Sequence, residues 1–168
     1  MTAKSGLSLV AGFLTIASAF AQVSDPVEVR YVHPEKFTDA GRYWGGDRSR
    51  EVILAALAGH IARRAAQLLP EGQQLAVSIS DLDMAGAHEP WRRNLGDLRV
   101  FRDIYPARIN LGFQLTAADG SILKRGERRL LDMAWGFGAV GYRDDPLRHE
   151  KALLDGWLER ELPRQLER

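Results

Sequence analysis

The chain has 168 residues, with 23 Lys and Arg against 22 Asp and Glu, and no Cys. A net charge of +1 gives no bulk attraction to nucleic acid or to anionic lipid. Without Cys there is no disulfide and no lipid-modified thiol, so stability rests on packing alone.

Met1 to Lys4 carries one positive charge, Leu7 to Ile16 is a short apolar run, and Ala19-Phe20-Ala21 has a small-x-small pattern. That order predicts a secretory signal peptide over residues 1–21, cut between Ala21 and Gln22. The apolar run is much shorter than the roughly 20 residues that span a bilayer, and no other segment is apolar enough to cross one. The expected mature protein, residues 22–168, is a single periplasmic domain that is neither membrane-spanning nor a lipoprotein.

Val27, Val29 and Tyr31 alternate with Glu28, Arg30 and Val32, which predicts a first strand ended by Pro34. The Gly-rich stretch that follows carries Phe37, Tyr43 and Trp44 and reads as an ordered loop packed back on the domain. Ile53, Leu57, Ile61, Ala65 and Leu68 recur at helical spacing, with Leu54 and Leu69 widening the stripe. They predict a helix capped by Asp47 or Ser49 and stopped at Pro70-Glu71-Gly72. Leu75, Val77 and Ile79 then alternate as a second strand. Its parity slips at Asp81, and Leu82 and Met84 fall on the other phase. A one-residue slip exchanges the faces, so a β-bulge is expected near Ser80-Asp81.

The segment from Ala85 to Tyr105 is long and polar, with Leu98, Val100 and Ile104 offering a short strand. Ala107, Ile109, Leu111, Phe113 and Leu115 alternate with polar or small residues, and Asp119-Gly120 supplies hairpin turn chemistry. The return strand carries Lys124, Arg125, Glu127, Arg128 and Arg129 on both faces, the mark of an edge strand, and Gly126 suggests a second bulge. Residues 135–141 read as a Gly-rich loop. Asp145-Pro146 predicts a capped helix start, and Leu147, Leu154, Trp157, Leu158 and Leu162 its apolar face, ended by Pro163.

The element order is β-α-β-β-β-α. The first two strands are parallel through a right-handed crossover and the rest antiparallel. This predicts an α+β two-layer sandwich, a mixed sheet of about four strands with both helices on one face.

V-E-V-R-Y-V-H-P-E-K-F-T-D from Val27, S-D-L-D-M-A-G from Ser80, R-D-I-Y-P-A-R-I-N-L from Arg102, L-T-A-A-D-G from Leu115 and D-P-L-R-H-E-K-A-L-L-D-G-W-L from Asp145 occur in that order. This ordered set resembles domain of unknown function family 3016, small exported bacterial proteins. The resemblance implies export and a shared fold, and no activity.

Asp81 and Asp83 lie two apart on a strand end, with His88 and Glu89 close behind, a spacing that suits a hard or borderline cation. A metal-assisted hydrolase using the Asp/His residues near 81–89 is therefore the alternative to a non-enzymatic domain. The simpler reading has Asp81 accepting backbone donors at the bulge. No G-x-S-x-G or H-E-x-x-H is present, so neither a cofactor nor a metal is expected. His60 reads as a surface or packing residue. Arg92, Arg93, Arg99, Arg102 and Arg108, with Arg125, Arg128 and Arg129 across the hairpin, make either an anion-binding patch or a solvated face paired with Asp97, Asp103, Glu127 and Asp132. The expected partner-binding surface is Asp81, Asp83, Trp91, Arg102, Asp103 and Tyr105. Its expected partner is an envelope protein or an anionic envelope component, not nucleic acid.

Overall fold

A computed structural model describes residues 25–40, 47–89, 99–133, 142 and 144–162. The expected signal segment, Tyr43, Trp44, Trp91, the expected loop at 135–141 and Pro163 lie outside the described residues, as does the Asp47 side chain. In chain order the elements are β1 (Val27–Tyr31), α1 (Asp47–Leu68), β2 (Gln74–Asp83), β3 (Ala87–His88), β4 (Arg99–Val100), β5 (Arg108–Thr116), β6 (Ile122–Leu131) and α2 (Arg148–Glu161). The main sheet runs β1-β2-β5-β6, and β3 and β4 form a separate two-stranded ribbon. β1 and β2 are parallel, joined through α1, and the other pairings are antiparallel. Both helices cover one face, as the α+β sandwich reading requires.

The core is the inner face of the sheet against two helical stripes. Leu75, Val77, Ile79 and Leu82 of β2 and Ile109, Leu111, Phe113 and Leu115 of β5 are buried. Against them lie Ile53, Leu54, Leu57, Ile61 and Ala65 of α1, and Leu154, Trp157 and Leu158 of α2. Trp157 packs edge-to-face on Phe113, with ring centroids 5.7 Å apart. Phe37 is buried as expected and meets Tyr31 edge-on. Leu68 is only partly buried, because Leu69 takes the last inward position of the stripe.

The bulge falls where the parity slips. Ile79 pairs with Leu111 and Asp81 with Asn110, leaving Ser80 as the extra residue. Leu82 and Met84 thereby regain the buried face, and Asp81 and Asp83 are turned to the uncovered one.

Two local expectations are corrected. Gly126 is no bulge, since it pairs in register with Phe113, and the extra residue of β6 is Leu123 beside the turn. Gly126 instead makes room for Arg128: a Cβ there would lie 2.8 Å from the Arg128 guanidinium. That guanidinium sits 5.2 Å from the Phe113 ring centroid, and its Nε donates to Glu161 at 2.5 Å. Nor does Asp145 cap α2 directly. It accepts the Leu147 N–H at 2.8 Å in the turn that leads to Arg148, and it holds Lys151 as well.

Candidate functional site at the bulged end of the sheet

The end of β2 is built from three chain segments. Asp81 accepts the Thr38 N–H at 2.8 Å on one carboxylate oxygen and the Thr38 hydroxyl at 3.0 Å on the other. The next residue, Asp39, donates its N–H to the Leu82 carbonyl and accepts the Met84 N–H, extending the sheet past β1. Asp83 faces Arg108 across the β2–β5 ladder at 3.3 Å. Burial holds the Asp83 carboxyl above the usual carboxylate range, nearby Asp39 and Asp81 push the same way, and Arg108 opposes the rise.

Beyond β2 the chain turns at Gly86, whose φ of +78° suits a residue without a side chain. The β3–β4 ribbon then pairs Ala87 with Val100 and His88 with Arg99. Arg99 is the hub of this end. Its buried side chain donates to the carbonyls of Ala85 (2.6 Å), Met84 (2.7 Å) and Gly86 (3.0 Å), and pairs with Asp39 at 2.8 Å. Three converging carbonyls and one carboxylate satisfy a planar fork of donors that would otherwise be costly to bury. From below, Glu150 in the first turn of α2 accepts the Ala85 N–H at 2.8 Å. His149 beside it contacts Asp132 at 3.1 Å and stacks on Phe101, over which Arg148 also lies.

The expected surface residues divide between these supports. Arg102 and Tyr105 converge on Glu89, at 3.4 Å and 3.3 Å. Glu89 is itself buried and fixes the turn that carries them. Asp81 and Asp83 share a strand face but go to different partners, Thr38 and Arg108. Asp103 is exposed at the tip of the turn. Trp91 lies outside the described residues. Asp81, Asp83, His88 and Glu89 do not gather around one point, and among the described residues no group of three His, Asp or Glu is placed to hold a metal ion.

Sequence reasoning missed Arg99, Glu150 and the structural part of Glu89. Arg99 reads as one of many solvated arginines, and its partner Asp39 is 60 residues away. It also passed over Leu131 and Met133 at this end, and it did not single out Ile104 within the Arg102–Tyr105 stretch. Ile104 is 61% exposed in the turn after Arg102, Leu131 is 39% exposed opposite Arg108, and Met133 is 83% exposed just beyond it. Asp132 donates its N–H to the Ala107 carbonyl and turns its side chain to His149, so Met133 follows Leu131 onto the uncovered face.

A second polar cluster joins the two helices. Asp155 takes His60 Nε2 at 2.8 Å on one oxygen and the Tyr142 hydroxyl at 2.6 Å on the other, while Arg64 pairs with Glu159. His60 is thus a packing residue with a specific partner. Desolvation, followed by the hydrogen bond to Asp155, pushes the Tyr142 phenol up to about 12. Asp155 and Glu159 of α2 thus hold His60 and Arg64 of α1, and the cluster braces α1 against α2.

Among the described residues no helix is long and apolar enough to cross a membrane. A family model described as protein of unknown function (DUF3016) matches residues 25–160. No curated protein and no solved structure matches the chain.

Proposed function

The chain belongs to the DUF3016 family of proteins of unknown function, and on that footing we propose that it is an exported, non-enzymatic binding protein of the bacterial envelope. Its recognition surface is the bulged end of the sheet. Ile104, Leu131 and Met133 supply apolar contact, rimmed by Arg102, Asp103, Tyr105 and the Asp83–Arg108 pair. One observation carries this reading: exposed Ile104, Leu131 and Met133 lie at the start of β5 and the end of β6, beside the segments that Arg99, Glu150 and Glu89 tie down by hydrogen bonds. Grouped apolar side chains with a polar rim are the anatomy of a protein-binding patch. Export is supported by the tripartite pattern of residues 1–21, which lies ahead of the family match at 25–160. Asp81, held by Thr38, belongs to the support of this surface rather than to its contacts.

A photo-crosslinking side chain placed at Asp103 in cells tests the proposal, with Asp119 in the hairpin turn at the opposite end as reference. Discrete adducts from position 103 that position 119 does not give are expected. Equal labelling from both positions, or none from 103, overturns it.

A further inference from the structure

β6 is the last strand of the sheet; its outer edge pairs with no other strand among the described residues, and of its outward carbonyls that of Glu127 accepts Arg128 Nη1 at 2.8 Å, a contact an added strand would displace. Its register with β5 is unbroken from Lys124 to Leu131, the one irregularity lying beside the turn. Over Ile122–Leu131 it carries Lys124, Arg125, Arg128 and Arg129 against Glu127 alone.

These cations have two different situations. Lys124 and Arg128 lie on the helix side, and both pair with Glu161 at the end of α2, at 2.6 Å and 2.5 Å. Burial alone would raise the Glu161 carboxyl; Arg128 and Lys124 overcome that and hold it below the usual carboxylate range. Arg125 and Arg129 lie on the uncovered face, exposed, with no ion-pair partner among the described residues. They and Glu127 wall a shallow groove floored by Ser78 and Gly112.

Charges on an edge strand commonly serve only to keep other strands away. This edge departs from that design. It is long and regular, two of its four cations share the Glu161 carboxylate on the helix side, and Ile122 and Leu123 stand half-exposed at one end. A second copy of the chain is a poor occupant, because self-pairing sets four cations and one carboxylate against the same set.

We infer that the β6 edge accepts an acidic, extended peptide segment as a fifth strand of the sheet. Main-chain hydrogen bonds supply the attachment and alternate side chains the selectivity. Residues directly opposite on neighbouring strands lie about 5 Å apart at Cβ. A partner strand with carboxylates four residues apart would meet Arg125 and Arg129 on the open face. A Lys or Ser midway between those carboxylates would meet Glu127.

The probe is a fluorescent ten-residue peptide of Val and Thr with Glu at two positions four apart and Lys midway. Two control peptides accompany it, one with the charges reversed and one N-methylated at alternate amides. Binding to the full chain is read by fluorescence anisotropy. Saturable binding is expected, weakened at least about tenfold by charge reversal, by N-methylation, and by Arg125→Glu with Arg129→Glu in the protein. Arg125→Gln with Arg129→Gln replaces that variant if the melt shows it misfolded, and weakening in the same direction is expected. Equal binding of the N-methylated peptide would show mere charge attraction and overturn the inference, as would no saturable binding. Arg102 and Met133 lie outside this edge, so their substitution leaves the peptide affinity unchanged.

Discussion

Glu150 Oε1 accepts the Ala85 N–H at 2.8 Å, and Glu150 Oε2 is buried with no hydrogen-bond partner. One carboxylate thus pins the start of α2 to the segment that leaves β2. Burial holds that carboxyl above the usual range; the Ala85 N–H, His149 and Arg99 pull it back only in part. The folded state therefore binds the Glu150 proton more tightly than the unfolded state. The stability this confers is complete below the unfolded value and is lost as pH rises through the folded one. Glu150→Gln keeps an acceptor for Ala85 and removes the titration. Its melting temperature relative to wild type should rise as pH climbs from the ordinary glutamate range toward neutrality. Parallel curves would show that Glu150 does not titrate as this contact requires.

Asp155 ties together two side chains from different segments, His60 of α1 and Tyr142. Asp155→Ala leaves His60 and the Tyr142 hydroxyl without their acceptor in a part-buried groove. A loss of about 1–3 kcal/mol is expected from denaturant unfolding. Tyr142→Phe, which removes a single hydrogen bond, should cost about 1 kcal/mol. A harmless Asp155→Ala would mean that the cluster is not the brace between α1 and α2.

Gly86 and Gly120 both have positive φ, but their surroundings differ. A Cβ on Gly86 would lie 2.8 Å from the Val100 carbonyl, whereas one on Gly120 meets open space. Gly120→Ala should therefore cost only about 1 kcal/mol of backbone strain. Gly86→Ala should cost more and should speed amide exchange across the β3–β4 ribbon. Equal costs would contradict the close approach of Gly86 to β4.

Alternation alone located β1, β2 and β5, and the slip at Asp81 located the bulge, because a period of two leaves one arrangement that keeps Leu82 and Met84 inside. The helical faces were legible for the same reason. The bracing of the site was not. Arg99 and Glu150 are charged, so local pattern assigns them to solvent, and only tertiary partners distant in sequence justify burying them. Gly126 misled because a glycine in a strand signals a bulge more often than room for a neighbouring Arg. Met133 carried no signal either, since an isolated apolar residue in a polar segment is ordinary.

Export predicts a mature N-terminus at Gln22, open to cyclisation to pyroglutamate. Mass spectrometry of the protein from the periplasmic fraction reads this directly. An intact Met1 in that fraction would contradict the signal-peptide reading.

In the proposed function the bulged end of the sheet separates support from recognition: Arg99, Glu150 and Asp81 hold it, and Ile104, Arg102 and Met133 contact a partner. Met133→Asp tests this most directly, because Met133 is 83% exposed and contributes little to folding. The variant and wild type are melted and then used side by side as bait in envelope extract, with each recovered protein quantified. A stability change within about 0.5 kcal/mol and loss of a protein that wild type recovers are expected. A variant that melts like wild type and recovers the same proteins in the same amounts would contradict it.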